Sequence, residues 1–232
     1  MMAFLKRRPL LRLLLYFSAT IIILTLPFRW LPPPATSFMV QAKYWGLAGE
    51  KPCQRIARHW TPWSAISPSL PLAVVAAEDQ LFPVHWGLDL TAIATALEER
   101  QRGRRIRGAS TITQQLVKNL YLWPGQSWLR KAIEAGLALV LEATWPKRRI
   151  LEVYINSVQF DSCIFGVEAA SQRFFHKPAA LLTSREAAQL AAVLPNPARL
   201  SVNPPSPYVQ QRTDWILGQM QSLGGANYLE GL

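Results

Sequence analysis

Read for its alternation of apolar and polar positions, the chain is a succession of helices, and few segments alternate as strands do. An uncharged apolar run covers residues 13–28 and is bounded by Arg12 and Arg29. Its 16 residues fall short of the ~20 that usually span a bilayer, but both arginines can extend their charged heads to the two interfaces. Lys6, Arg7 and Arg8 precede the run, so the positive-inside tendency predicts a cytoplasmic N-terminus, a single-pass anchor and an exported remainder. The competing reading is a cleaved signal peptide; the run is at the long end for one, and Leu31-Pro-Pro-Pro34 is a poor small-x-small site.

Beyond the anchor, residues 32–67 are rich in aromatic and basic side chains without clear periodicity, and are expected to form a juxtamembrane connector in contact with lipid. A helix is predicted from Ser69 to Glu78 with Pro71 in its first turn, where a missing N–H costs little. Asp89 is placed to cap a helix over 90–101, which runs into a basic stretch holding Arg102, Arg104, Arg105 and Arg107, expected as a mobile loop. Ser110 or Thr111 caps the next helix to about Leu122, Ser127 starts another to about Trp145, and Pro146 opens a third to about Val158. Further helices fit 166–175 and 184–194, the latter with a Thr183/Glu186 capping box, and a last amphipathic stretch reaches Leu223. No internal repeat appears, so the reading is three parts: anchor 1–31, connector 32–67, and one mainly α-helical domain over 68–232.

Composition narrows the partners. Lys and Arg outnumber Asp and Glu 25 to 14, for a net charge of +11, which favours lipid headgroups, diphosphates or nucleic acid. On an exported chain membrane and phosphate come first, and no nucleic-acid motif accompanies the charge. Cys53 and Cys163 can pair in an oxidising compartment; their spacing carries no metal or redox motif and leaves their state open.

Two strings carry chemistry. Glu78-Asp-Gln-Leu-Phe82-Pro-Val-His85-Trp-Gly87-Leu-Asp89 sets three carboxylates and a histidine around one helix junction, a common way to hold a carboxylate over a cleft. Taken alone the signal is weak, and the string reads first as a solvated acidic helix end, an ordinary turn histidine and an N-cap. In Gly108-Ala-Ser110-Thr-Ile-Thr-Gln114-Gln115-Leu-Val-Lys118-Asn119, Ser110, Gln114 and Lys118 follow at i+4 steps, giving one helix face a hydroxyl, an amide and an ammonium, opposite an apolar face of Ile112, Leu116 and Leu120.

Together these strings resemble glycosyltransferase family 51, the polymerase module of bifunctional penicillin-binding proteins and of stand-alone biosynthetic transglycosylases. The resemblance continues through Trp128-Leu-Arg130-Lys131-Ala-Ile-Glu134 and Lys147-Arg-Arg-Ile-Leu-Glu152-Val-Tyr-Ile-Asn156, in the family's order, and covers about 68–207. No Ser-x-x-Lys with a later Lys-Thr-Gly marks a transpeptidase, so the monofunctional type fits.

The resemblance implies a lysozyme-like, two-lobed helical domain behind one N-terminal transmembrane helix, acting on lipid II and the growing glycan chain at the outer face of the bacterial inner membrane. It assigns Glu78 as general base toward the acceptor's 4-hydroxyl and Glu134 as a second active-site carboxylate. Ser110, Gln114, Gln115, Lys118, Arg130 and Lys131 are then substrate-binding. It implies no required cofactor, leaves room for a divalent cation (Mg or Mn) at the diphosphate, and allows other cell-wall synthases as partners. By spacing alone Arg130/Glu134 is a surface ion pair worth ~0.3–0.5 kcal/mol, and Arg148/Glu152 is expected as a structural pair, with Asn156, behind the cleft. Two departures stand out: Gln126 where relatives carry an arginine, and Asp161 where they carry glycine, at a turn expected to need φ > 0. The rival readings are a lytic enzyme using Glu78 alone as acid, and a non-catalytic lipid II binder or wall-synthesis scaffold gripping headgroups.

Overall fold

A computed structural model describes residues 19, 22–47, 51–102, 110–125 and 127–232. Most of the expected anchor, the basic stretch 103–109 and Gln126 lie outside these residues; no helix among the described residues is long and apolar enough to cross a membrane.

The described chain is mainly helical, as its periodicity predicts. The helices are α1 Ser37–Tyr44, α2 Ser69–Glu78, α3 Leu90–Gln101, α4 Ile112–Tyr121, α5 Trp128–Thr144, α6 Lys147–Ile155, α7 Val167–Phe175, α8 Ser184–Val193 and α9 Pro207–Ser222. Two short antiparallel strands, β1 Gln159–Asp161 and β2 Ile164–Phe165, form a hairpin between α6 and α7. Capping chemistry sets most helix starts: Asp89 accepts from Ala92 N, Ser127 from Arg130 N, and Thr111 and Thr183 each close a capping box.

α2 is apolar all round, and Leu70 to Ala76 are buried, as befits a helix enclosed by neighbours. It packs against α8 and α9, while α4 packs against α5, α6 and α1. One continuous apolar core, including Leu70, Val74, Ile112, Leu116, Leu141, Ile150 and Leu190, joins the two groups. Glu78, at the end of α2, therefore faces the polar side of α4 across their junction.

The region after the prolines is more structured than its sequence suggests. Thr36 caps α1 by accepting from Met39 N at 3.1 Å, and Met39, Ala42, Leu47, Cys53 and Phe165 make a second small core. Cys53 and Cys163 are disulfide-bonded in it, 110 residues apart in sequence. Ala57 bridges to β2. Arginines then fasten the incoming chain to the domain through main-chain carbonyls on both sides. Arg149 donates to Phe28 O and Leu31 O at 3.0 and 2.8 Å, Arg58 donates to Pro33 O and Pro34 O at 2.7 and 2.9 Å, and Arg29 donates to Thr144 O.

Three expectations need correcting. Glu152 pairs with Arg149, at 2.6 Å, and not with Arg148. Its other oxygen accepts from Trp63 N at 2.8 Å, and Arg148 lies instead over the Trp63 ring. The Asn156 amide exchanges two bonds with the Thr61 backbone, and α6 ends at Ile155, earlier than expected. Asp161 is not at φ > 0; it lies in β1 and accepts from Ser162 N at 2.7 Å. The left-handed position is Gly166, φ 80°, where a Cβ would meet Asn156 O at 2.8 Å.

Candidate active site

The loop after Glu78 is fixed by buried polar groups. Asp79 is 8% exposed; its carboxylate contacts His85 Nε2 at 2.9 Å and accepts from Ile112 N at 2.9 Å. His85 Nδ1 accepts from Gly87 N at 3.1 Å, which leaves Nε2 to carry the proton and donate to Asp79. Lys147 donates to His85 O and to Glu142, Thr113 donates to Glu142, and Thr111 donates to Gly87 O at 2.6 Å. Gly87 is required here, because its φ is 75° and a Cβ would lie 2.8 Å from Glu142 Cγ. Thus Asp79 is no solvated helix end and His85 no ordinary turn residue: they hold the loop against the start of α4.

Glu78 stands half-buried beside this loop, and Gln115 Nε2 donates to its Oε2 at 2.8 Å. Tyr154 O–H donates to Gln115 Oε1 at 2.9 Å. Burial raises the Tyr154 pKa well above its ordinary value, with Glu78 and Asp79 adding to the rise. The phenol therefore stays a donor, and it turns the Gln115 amide so that the NH₂ side faces Glu78. Burial likewise raises the Glu78 pKa, the Gln115 hydrogen bond, Arg212 and Lys118 oppose it, and Asp79 reinforces it. The result is a proton-accepting group held in one orientation and easier to protonate than an ordinary glutamate.

Across from Glu78 lies a cluster of cations. Glu134, 2% exposed, takes Arg130 Nη1 on Oε2 at 2.7 Å and Lys131 Nζ on Oε1. Lys131 also donates to Ser110 Oγ at 2.9 Å. Lys118 lies over the Phe38 ring of α1 at 5.6 Å. Burial lowers its pKa, Glu134 and Glu78 raise it, and Arg130 and Lys131 lower it. Three cations against one carboxylate leave two net positive charges, a fit for the diphosphate of a lipid-linked sugar. Both Glu134 oxygens are engaged, and among the described residues no three His, Cys, Asp or Glu side chains gather as metal ligands. Among the described residues, then, no side-chain cluster by itself makes a divalent-cation site.

A transglycosylase family model matches residues 48–221, three-quarters of the chain. The chain belongs to the transglycosylase family. Proteins named biosynthetic peptidoglycan transglycosylase are similar to it over nearly their whole length. One from Ectopseudomonas mendocina is 49% identical over 97% of this chain and 93% of its own. One from Pseudomonas savastanoi pv. phaseolicola is 47% identical over 100% and 98%, and one from Pseudomonas putida is 50% identical over 96% and 94%.

Within this transglycosylase the site residues expected from sequence do not all share one helix face. Ser110 precedes the Thr111 cap and stands off α4, reaching the cluster through Lys131. Gln114, 3% exposed, turns back to accept from Thr111 N and completes the capping box. Gln115 and Lys118, one turn apart, form the face that meets Glu78 and the cations. Arg130 and Glu134 are buried, not a surface pair. Sequence reading missed Tyr154, Phe38 and the wall presented by α9, where Tyr208, Arg212 and Trp215 recur at i, i+4 and i+7, the one signal that marked them.

Proposed function

We propose that this chain is a peptidoglycan glycosyltransferase that polymerises lipid II into glycan strands by inverting transfer, releasing the polyprenyl diphosphate. The observation that carries the reading is Glu78, held by Gln115 and Tyr154 and facing Lys118, Arg130 and Lys131. The acceptor's 4-hydroxyl gives its proton to Glu78 while its oxygen bonds to the donor's anomeric carbon. The bond from that carbon to the diphosphate breaks, and its electron pair leaves with the diphosphate into the cation cluster. Ser110 and Gln115 bind beside Glu78, and Gln114 acts through the start of α4. Glu134 orients Arg130 and Lys131, so these side chains and Lys118 supply the charge neutralisation at the diphosphate. A raised glutamate pKa alone would equally suit a lytic acid; two net positive charges beside it favour a diphosphate leaving group.

The same reading places a lysozyme-like, two-lobed domain on the periplasmic side of the bacterial inner membrane, behind a single transmembrane helix. The apolar run 13–28 with its preceding basic cluster supports this, as does a disulfide, which persists in oxidising compartments. Inner-membrane lipids and other cell-wall synthases are its proposed partners beyond the substrate.

Detergent-solubilised protein incubated with labelled lipid II tests the reading. Wild type is expected to yield glycan polymer, and Glu78→Gln to lose about 10²–10⁴-fold in rate, the range for a general base. Lipid II binding without polymer from wild type would overturn it in favour of a scaffold.

A further inference from the structure

A cleft of about 590 Å³ opens beside Glu78, and Ser110, which accepts from Lys131, joins it to the cation cluster. Glu78, Ser110 and Gln115 line one side; Tyr208, Arg212 and Trp215 of α9 line the other. The volume suits a ligand of several rings, and Lys118 and Arg130 do not line it. Arg212 is fixed rather than available: Nη2 donates to Ala77 O at 2.9 Å, one residue before Glu78, and the guanidinium stacks on Trp215 at 4.1 Å. Tyr208 and Trp215 remain 54% and 43% exposed, although large aromatics on a packed helix normally find cover. They stand seven residues apart, about 10 Å along the helix axis, comparable to two consecutive pyranose rings.

We propose that Tyr208 and Trp215 form a stacking wall for the acceptor's N-acetylhexosamine disaccharide, with Arg212 holding Trp215 and the end of α2 in register. The inference rests on the displacement proposed above. A nucleophile attacks opposite the leaving group, so with the diphosphate among Lys118, Arg130 and Lys131, the acceptor sugar approaches from the other side of Glu78. Of the residues lining the cleft, those of α9 carry no bond to the cation cluster, whereas Ser110 does. Tyr208 and the part of Trp215 that Arg212 leaves uncovered offer aromatic surface to the apolar C–H face of a pyranose, and Glu78 then lies at the sugar's edge, where the 4-hydroxyl is.

Two measurements on the full chain in detergent test the wall. The first is saturation-transfer NMR with a β-1,4-linked N-acetylglucosamine tetrasaccharide, a probe without diphosphate. The second is the initial rate of lipid II polymerisation across substrate concentration. Tyr208→Ala and Trp215→Ala are expected to weaken tetrasaccharide binding and to raise KM about tenfold, with a smaller fall in kcat, and Trp215→Phe to restore most of both. Wild-type-like binding and KM in both alanine variants would overturn the proposal. So would a fall in kcat at unchanged KM that phenylalanine fails to rescue, the mark of a brace for Arg212 alone. If wild type binds the tetrasaccharide through Trp215 yet makes no polymer, the wall stands and the polymerase reading falls; if it does neither, both fall.

Discussion

At Glu78 the chemistry and the stability pull in opposite directions. A general base must be ionised, and burial raises its pKa, so the acid limb of kcat is expected above the ordinary glutamate range, with rate rising as pH rises through it. Replacing Gln115 by Leu removes a hydrogen bond that favours the ionised form, and should move that limb to still higher pH; a pH–rate profile reads both. In stability the sign reverses. A folded pKa above the unfolded one means that the favourable, protonated contribution is fully present below the unfolded value and is lost as pH rises through the folded value. Glu78→Gln stays neutral throughout, so it should melt higher than wild type at neutral pH and level with it in acid below the glutamate range. Glu78, Lys118 and Arg130 could be named from the sequence through the order of its motifs and the resemblance they carry, whereas spacing alone reads Arg130 as half of a surface pair. Tyr154 could not, since only burial makes its hydroxyl a fixed donor to Gln115.

Helices were legible where a cap announced them, as at Asp89, Thr111, Ser127 and Thr183, and less so where tertiary contacts chose between alternatives. Glu152 had arginines at both i−3 and i−4; Trp63, stacking with Arg148, decides for Arg149. α1 escaped notice because eight residues give too little periodicity, although Thr36 is a sound cap. The start of α5 shows how burial changes an element's energetics. Spacing alone gives Arg130 and Glu134 a few tenths of a kcal/mol, but their side chains are 10% and 3% exposed. Glu134→Ala would leave a buried guanidinium unpaired, at a cost of about 3–5 kcal/mol. Denaturant unfolding should show that loss; Glu98→Ala, which breaks the exposed pair with Arg102, should change stability by less than about 0.5 kcal/mol.

For the molecule as a whole, the sequence conveyed the mainly helical class and the order of the site motifs, but not which distant segments tie together. Two cysteines 110 residues apart could be recognised as a pair only once β2 and the segment after α1 met. Closing so long a loop restricts the unfolded chain strongly, and the Cys53→Ser, Cys163→Ser double variant is expected to lose about 2–4 kcal/mol, read as a lower melting temperature that reductant no longer changes. The arginines that grip carbonyls between Phe28 and Pro34 have a different effect. A free linker of this length would wander over roughly 15 Å and swivel; here the entering backbone is held by Arg149 of α6 and by Arg58. A pull on residue 28 is therefore met by α6 before it can reach the cleft, as strain relief on a cable spares the joint behind it.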